Sequence, residues 1–111
     1  MDPKRPWECA DMSQVRAEID RIDAALVDLI AERFGYVERA WQLKKNPAEA
    51  SVPWRINEVI DKVKFQARQR GLPAEMIDMV GAQWRNMIGW FVQYEEEKLR
   101  QQEASSGGRR E

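Results

Sequence analysis

At 111 residues, with 43% apolar and 33% charged side chains, the chain has room for one hydrophobic core. A net charge of −1 argues against a nucleic-acid surface, and no stretch approaches the roughly 18 consecutive apolar residues of a membrane span. The chain has no His and a single cysteine, Cys9, which excludes a Cys/His zinc site, a His-based triad and an intrachain disulfide framework.

No metal or cofactor is therefore expected, and with no apolar leader in view the default compartment is the cytoplasm. Residues 1–11, MDPKRPWECAD, are polar and Pro-containing and read as an irregular arm. Trp7 is expected to tuck onto a dimer, and Cys9 reads as an inert thiol, since nothing nearby marks a lowered pKa.

The helical domain is expected over 12–103. From Met12 to Lys45 apolar or small residues at Ile19, Leu26, Ile30, Val37 and Ala40 recur in steps that reduce to threes and fours, without Pro, predicting one long amphipathic helix. Ser13 is its expected N-cap, and fraying is expected around Lys45 and Asn46, before Pro47. Charges interrupt the stripe: Arg16, Asp23, Arg33 and Lys44 fall on or beside it. Cations on a buried face need anionic partners.

Such a helix is about 50 Å long, whereas a domain of this size has a radius of gyration near 13 Å. One chain cannot cover it, so an intertwined homodimer is the simplest expectation. Arg33 and Lys44 lie about 16 Å apart on nearly one line, within reach of a shared small anion. Arg16 is about 25 Å from Arg33 and can join that ligand only from a second chain.

After a PAEAS loop, Ser51 followed by Pro53 marks a second helix start, and Ile56, Val59, Ile60, Val63 and Ala67 give it an apolar face until Gly71. Pro73 and Glu75 open a third helix. Its stripe runs Ile77, Val80, Trp84, Met87, Ile88, Phe91, Glu95 and Leu99, which places Glu95 in an otherwise apolar row. Residues 104–111, ASSGGRRE, read as a disordered tail. The expected fold is thus all-α, three helices in the order long, short, long.

Without metal, His or reactive thiol, a set of fixed cations and donors can still bind a di-anion and stabilise charge that develops in a rearrangement needing no acid, base or nucleophile. The pattern VRAEIDRIDAALVDLIAERF with its later Lys44, then VPWR and GWFVQYE, resembles the all-helical chorismate mutase family. Within that family the isochorismate-pyruvate lyases of salicylate biosynthesis look most similar. The resemblance covers roughly residues 6 to 99, and R-x-E-I-D-x-I-D is its most specific part.

The resemblance implies a dicarboxylate substrate, chorismate or isochorismate. It implies that Arg16 reaches across the dimer to a substrate carboxylate, that Arg33 holds a carboxylate from within its own subunit, and that Arg55 completes that binding. It implies that Lys44 donates to the ether oxygen, with Glu95 supplying a second hydrogen bond there. To donate, Glu95 must carry a proton, so activity should fall as pH rises. Mutases commonly carry Glu directly after the second-helix arginine, where this chain has Ile56, as apolar as the lyase-like members. The Glu95 register needs a short insertion between Gly71 and Trp84 and restores the match at Trp90 and Phe91; an ungapped register puts Val92 in the site.

The residues taken alone also allow plainer readings. Arg16 could pair with Asp20, Lys44 beside Lys45 could be a solvated helix end, and Arg55 a rim charge. Glu95 opens the run Glu95-Glu96-Glu97-Lys98, often a solvated face, and Trp84, Trp90, Phe91 and Tyr94 read as packing. The reaction expected first is chorismate to prephenate. The alternatives are isochorismate to salicylate and pyruvate, and a non-catalytic helical dimer that binds a small di-anion.

Overall fold

A computed structural model describes residues 2–108. Among the described residues there are three α-helices and no strand: α1 (Met12–Leu43), α2 (Pro53–Gln69) and α3 (Ala74–Gly108), with short 3-10 turns at Pro6–Glu8 and Pro47–Glu49. The chain divides into two units, Met1–Tyr36 and Val37–Glu111.

In the first unit the arm makes its 3-10 turn, in which the Arg5 amide donates to Glu8 Oε1 at 2.9 Å. The Arg5 guanidinium lies 5.5 Å from the Trp7 ring centroid, and Trp7 is exposed. The long helix starts earlier than Ser13. Asp11 caps it, accepting from the Gln14 amide at 2.9 Å while the Asp11 carbonyl takes the first intrahelical bond from Val15. Gln14 Oε1 reaches back to the Ala10 amide at 2.7 Å. Asp11 serves as the cap because it satisfies an orphan amide and adds negative charge at the positive end of the helix.

No residue of α1 is buried. Ile19, Leu26 and Ile30 of the expected stripe remain 50%, 48% and 45% exposed. Within the first unit the helix therefore presents its apolar row instead of covering it.

In the second unit α2 packs against α3. The apolar face expected for α2 is the one that turns inward, with Ile60 and Ala67 buried and Ile56, Val59 and Val63 half-buried. Val52, not Ser51, occupies the N-cap and makes no side-chain cap bond, since its side chain has no acceptor, and Pro53 at the first helical position has no amide to leave unpaired. The C-terminus closes at Gly71 (φ +81°): the Gly71 amide donates to Arg68 O and the Leu72 amide to Ala67 O, the paired bonds of a Schellman motif.

On α3, Ile77, Ile88, Glu95 and Leu99 are buried, and Val80, Trp84, Met87 and Phe91 are half-buried. Gly81 lies under the Lys64 stem, where an added Cβ would come within 2.9 Å of Lys64 Cδ. The helix runs on to Gly108, five residues into the segment expected to be a disordered tail from 104; residues 109–111 lie outside the described residues. Extending a formed helix costs far less than starting one, and Arg100 with Glu96 and Gln101 with Glu97 link its last described turns.

Candidate active site

The end of α1 places the first candidate side chain. Lys44 lies just past the helix, and its amide donates to Trp41 O at 3.2 Å, a bond that tightens the last turn. The chain then cannot fray freely. The Lys45 amide donates to Glu49, and Asn46 caps the Pro47–Glu49 turn by accepting from the Ala48 amide at 3.1 Å. That turn packs against α3, and Ala50 behind it is buried.

Lys44 Nζ meets Glu95 Oε2 at 2.5 Å. The glutamate, 6% exposed, is the charged residue that the core of the second unit encloses, and the lysine that compensates it is half-buried. A carboxylate in an apolar row is costly unless paired and hydrogen-bonded, and this contact supplies both. Among the described residues no buried side-chain nitrogen or oxygen lacks a partner. Val92, the ungapped alternative, is half-buried and apolar.

A second polar group adjoins this pair. Glu38, one helical turn before Trp41, accepts from Trp41 Nε1 at 2.6 Å and from the Tyr94 hydroxyl. Lys98 Nζ lies 5.5 Å from the Tyr94 ring centroid. The Tyr94 hydroxyl bond, helped by Trp41 and the Lys98 charge, holds the Glu38 carboxyl below the usual carboxylate range. The same bond, with burial, pushes the Tyr94 phenol above its ordinary value. Nothing in the local sequence singles out Glu38, whose partners are 3 and 56 residues away. Tyr94 was legible only as a packing aromatic.

The remaining candidates are dispersed. In the first unit Arg16 is exposed and makes no ion pair with Asp20 among the described residues, while Arg33 is half-buried. Glu18 of the R-x-E motif turns instead to Arg21, 2.9 Å away, and accepts from the Lys4 amide; Arg21 above all holds its carboxyl below the ordinary range. In the second unit Arg55 sits in the first turn of α2, exposed and paired with Glu58 at 2.5 Å, and Ile56 beside it is half-buried.

A depression along α2, bordered by Trp54, Asp61, Phe65 and Gln69, includes neither Lys44 nor Glu95. Among the described residues no cluster of His, Cys, Asp or Glu could hold a metal ion, and no helix is long and apolar enough to cross a membrane. Cys9 is a free thiol.

This arrangement can present a cation and a carboxyl to one polar atom of a small ligand. Comparison with known proteins gives such an arrangement its context. The chain is similar to an isochorismate pyruvate lyase of Pseudomonas aeruginosa, 29% identical over 89 residues, which are 80% of this chain and 85% of the relative. The family profile described as chorismate mutase type II matches residues 15–96, a span that takes in Arg16, Arg33, Lys44, Arg55 and Glu95. The chain thus belongs to the chorismate mutase type II family and is an enzyme of that kind.

Proposed function

We propose that this enzyme rearranges chorismate to prephenate, and the observation that carries the reading is the contact between Lys44 and the buried Glu95. In the [3,3] rearrangement the ether C–O bond of the enolpyruvyl group breaks while its methylene carbon bonds to the ring, and no proton has to move. Negative charge grows on the ether oxygen. A preorganised ammonium beside that oxygen stabilises the transition state more than the ground state, which is what accelerates the step.

Lys44 has three donors, so it can keep one on Glu95 and aim another at the substrate. Glu95, which can donate only in its protonated form, supplies the second hydrogen bond. Arg33 holds one carboxylate. Arg55 holds the other on releasing Glu58, an exposed contact that costs little to give up. The uncovered apolar row of α1 supports an intertwined homodimer, in which Arg16 of one chain reaches the partner's site and completes the grip.

A second reading has its own support. Ile56 leaves the position after Arg55 without a carboxylate, and the relative from Pseudomonas aeruginosa is an isochorismate pyruvate lyase. In that reaction the same C–O bond breaks as a ring hydrogen passes to the enolpyruvyl methylene, giving salicylate and pyruvate, and Lys44 would serve the same oxygen.

The deciding experiment incubates the protein separately with chorismate and with isochorismate and identifies products by chromatography. Prephenate from chorismate supports the mutase. Salicylate and pyruvate from isochorismate, much faster than any prephenate, replace it with the lyase. No product from either leaves a non-catalytic di-anion binder.

A further inference from the structure

The group around Glu38 lies outside the set that binds or reacts, yet it is bonded to the residues beside that set. Lys44 follows the last residue of α1, so its place depends on how firmly the final turn is held. Two of the bonds that hold the turn meet at Trp41. Its carbonyl accepts the Lys44 amide at 3.2 Å, and its indole N–H is anchored on Glu38 at 2.6 Å. The other carboxylate oxygen of Glu38 is bound by the hydroxyl of Tyr94, and Tyr94 immediately precedes Glu95 on α3. One carboxylate thus ties the backbone turn that carries the cation to the helix position that carries its partner.

We infer that Glu38 is a positioning residue: by bridging Trp41 and Tyr94 it sets Lys44 in register with Glu95. The inference rests on the reading of Lys44 as the donor to the breaking C–O bond. An error of about 1 Å in such a donor can cost on the order of a hundredfold in rate, so a tie this close to the ammonium has kinetic weight.

The charge pattern suits a bond meant to persist. The groups facing Glu38 are the Tyr94 hydroxyl, the Trp41 indole and the Lys98 ammonium, all of which favour its anion. Tyr94 in turn is kept protonated by Glu38. Across neutral pH the bridge is therefore a carboxylate with two donors, the stronger kind of hydrogen bond.

The test compares Glu38→Ala and Tyr94→Phe with the wild type, the second variant deleting one hydroxyl and keeping the ring. Both are expected to lower kcat about tenfold while KM stays within about twofold, because the tie places the donor and does not bind substrate. Glu38→Gln, which keeps one acceptor oxygen, is expected to fall in between. Hydrogen exchange supplies a readout independent of turnover. The Lys44 amide should exchange about tenfold faster in both variants, while the Leu72 amide, bonded to Ala67 O at the far end of α2, is unchanged.

Equal acceleration at Lys44 and Leu72 would mean a general loss of stability and would overturn the inference, as would an unchanged kcat in both variants of an active enzyme. If the wild type turns over neither chorismate nor isochorismate, the reading of its activity fails. The exchange at Lys44 against Leu72 then decides the positioning role by itself.

Discussion

From Met12 to Tyr36 the chain is an amphipathic helix that buries nothing, whereas from Val37 onward Ala50, Ile60, Ala67, Ile77, Ile88 and Leu99 are enclosed. Both stretches carry the same helical periodicity, so pattern alone does not determine burial. The second unit supplies α2 to cover α3, and the charge it encloses, Glu95, is paired with Lys44. The first unit supplies no such cover, and Arg16 and Asp23, on or beside its apolar row, are exposed. A row of that kind has the properties of an interface: apolar residues interleaved with charges that a second surface can answer. On the proposed function, the covered region holds the reacting pair, Lys44 and Glu95.

The largest effect should come from the covered region. Lys44→Ala is expected to lower kcat by about a hundred- to a thousandfold, since removing one preorganised donor to developing charge costs about 3 to 4 kcal/mol. Steady-state kinetics decides the role. A change confined to KM would show that Lys44 only binds, and the two regions would then share one task.

Stability separates the regions next. Leu99, 1% exposed, is a core leucine, and Leu99→Ala should cost about 2 to 5 kcal/mol in urea unfolding at any protein concentration. Leu26→Ala should behave differently. If a second copy covers that row, the unfolding midpoint of the wild type rises with protein concentration, and the variant loses part of that dependence. A wild-type midpoint independent of concentration would remove the dimer and leave Arg16 without a site to complete.

The pair itself can be tested by pH. A carboxyl can donate that second hydrogen bond only when protonated, whereas the amide of Glu95→Gln donates at every pH, so the variant should keep more of its kcat than the wild type as pH rises. A profile and rate that match the wild type would end the donor role of Glu95.

Much of the second unit was legible in the sequence because its burial follows local period. The faces of α2 and α3 came from spacing alone, and Glu95 stood out as a carboxylate in an apolar row. Its nearness to Lys44 came only from the family resemblance, since 51 residues separate them and neither side chain marks the other. Glu38 was less visible still, because its Tyr94 partner is 56 residues away. ASSGG is poor helix-starting sequence, yet α3 continues into it because extending a formed helix costs little. In the first unit periodicity gave the helix but not its first residue, where two capping residues compete two positions apart.

That competition yields the smallest and most local test. Asp11 accepts from the Gln14 amide at 2.9 Å and Gln14 answers at the Ala10 amide, so both orphan donors at the start of α1 depend on the Asp11 register. Ser13 lies inside the helix, with no capping task. Asp11→Ala should therefore cost about 1 kcal/mol and Ser13→Ala only a few tenths, as for ordinary caps and ordinary first-turn positions. The loss should fray the first turn of α1 and lift amide protection at Gln14 and Val15, leaving Ala67 and its Schellman partners unaffected. It should also act on the region that carries Arg16, so activity would fall further than stability alone predicts if that arginine works across a dimer. Equal costs for the two variants, or a greater cost for Ser13→Ala, would return the cap to Ser13 and shorten α1 by about half a turn at the end where the uncovered row begins.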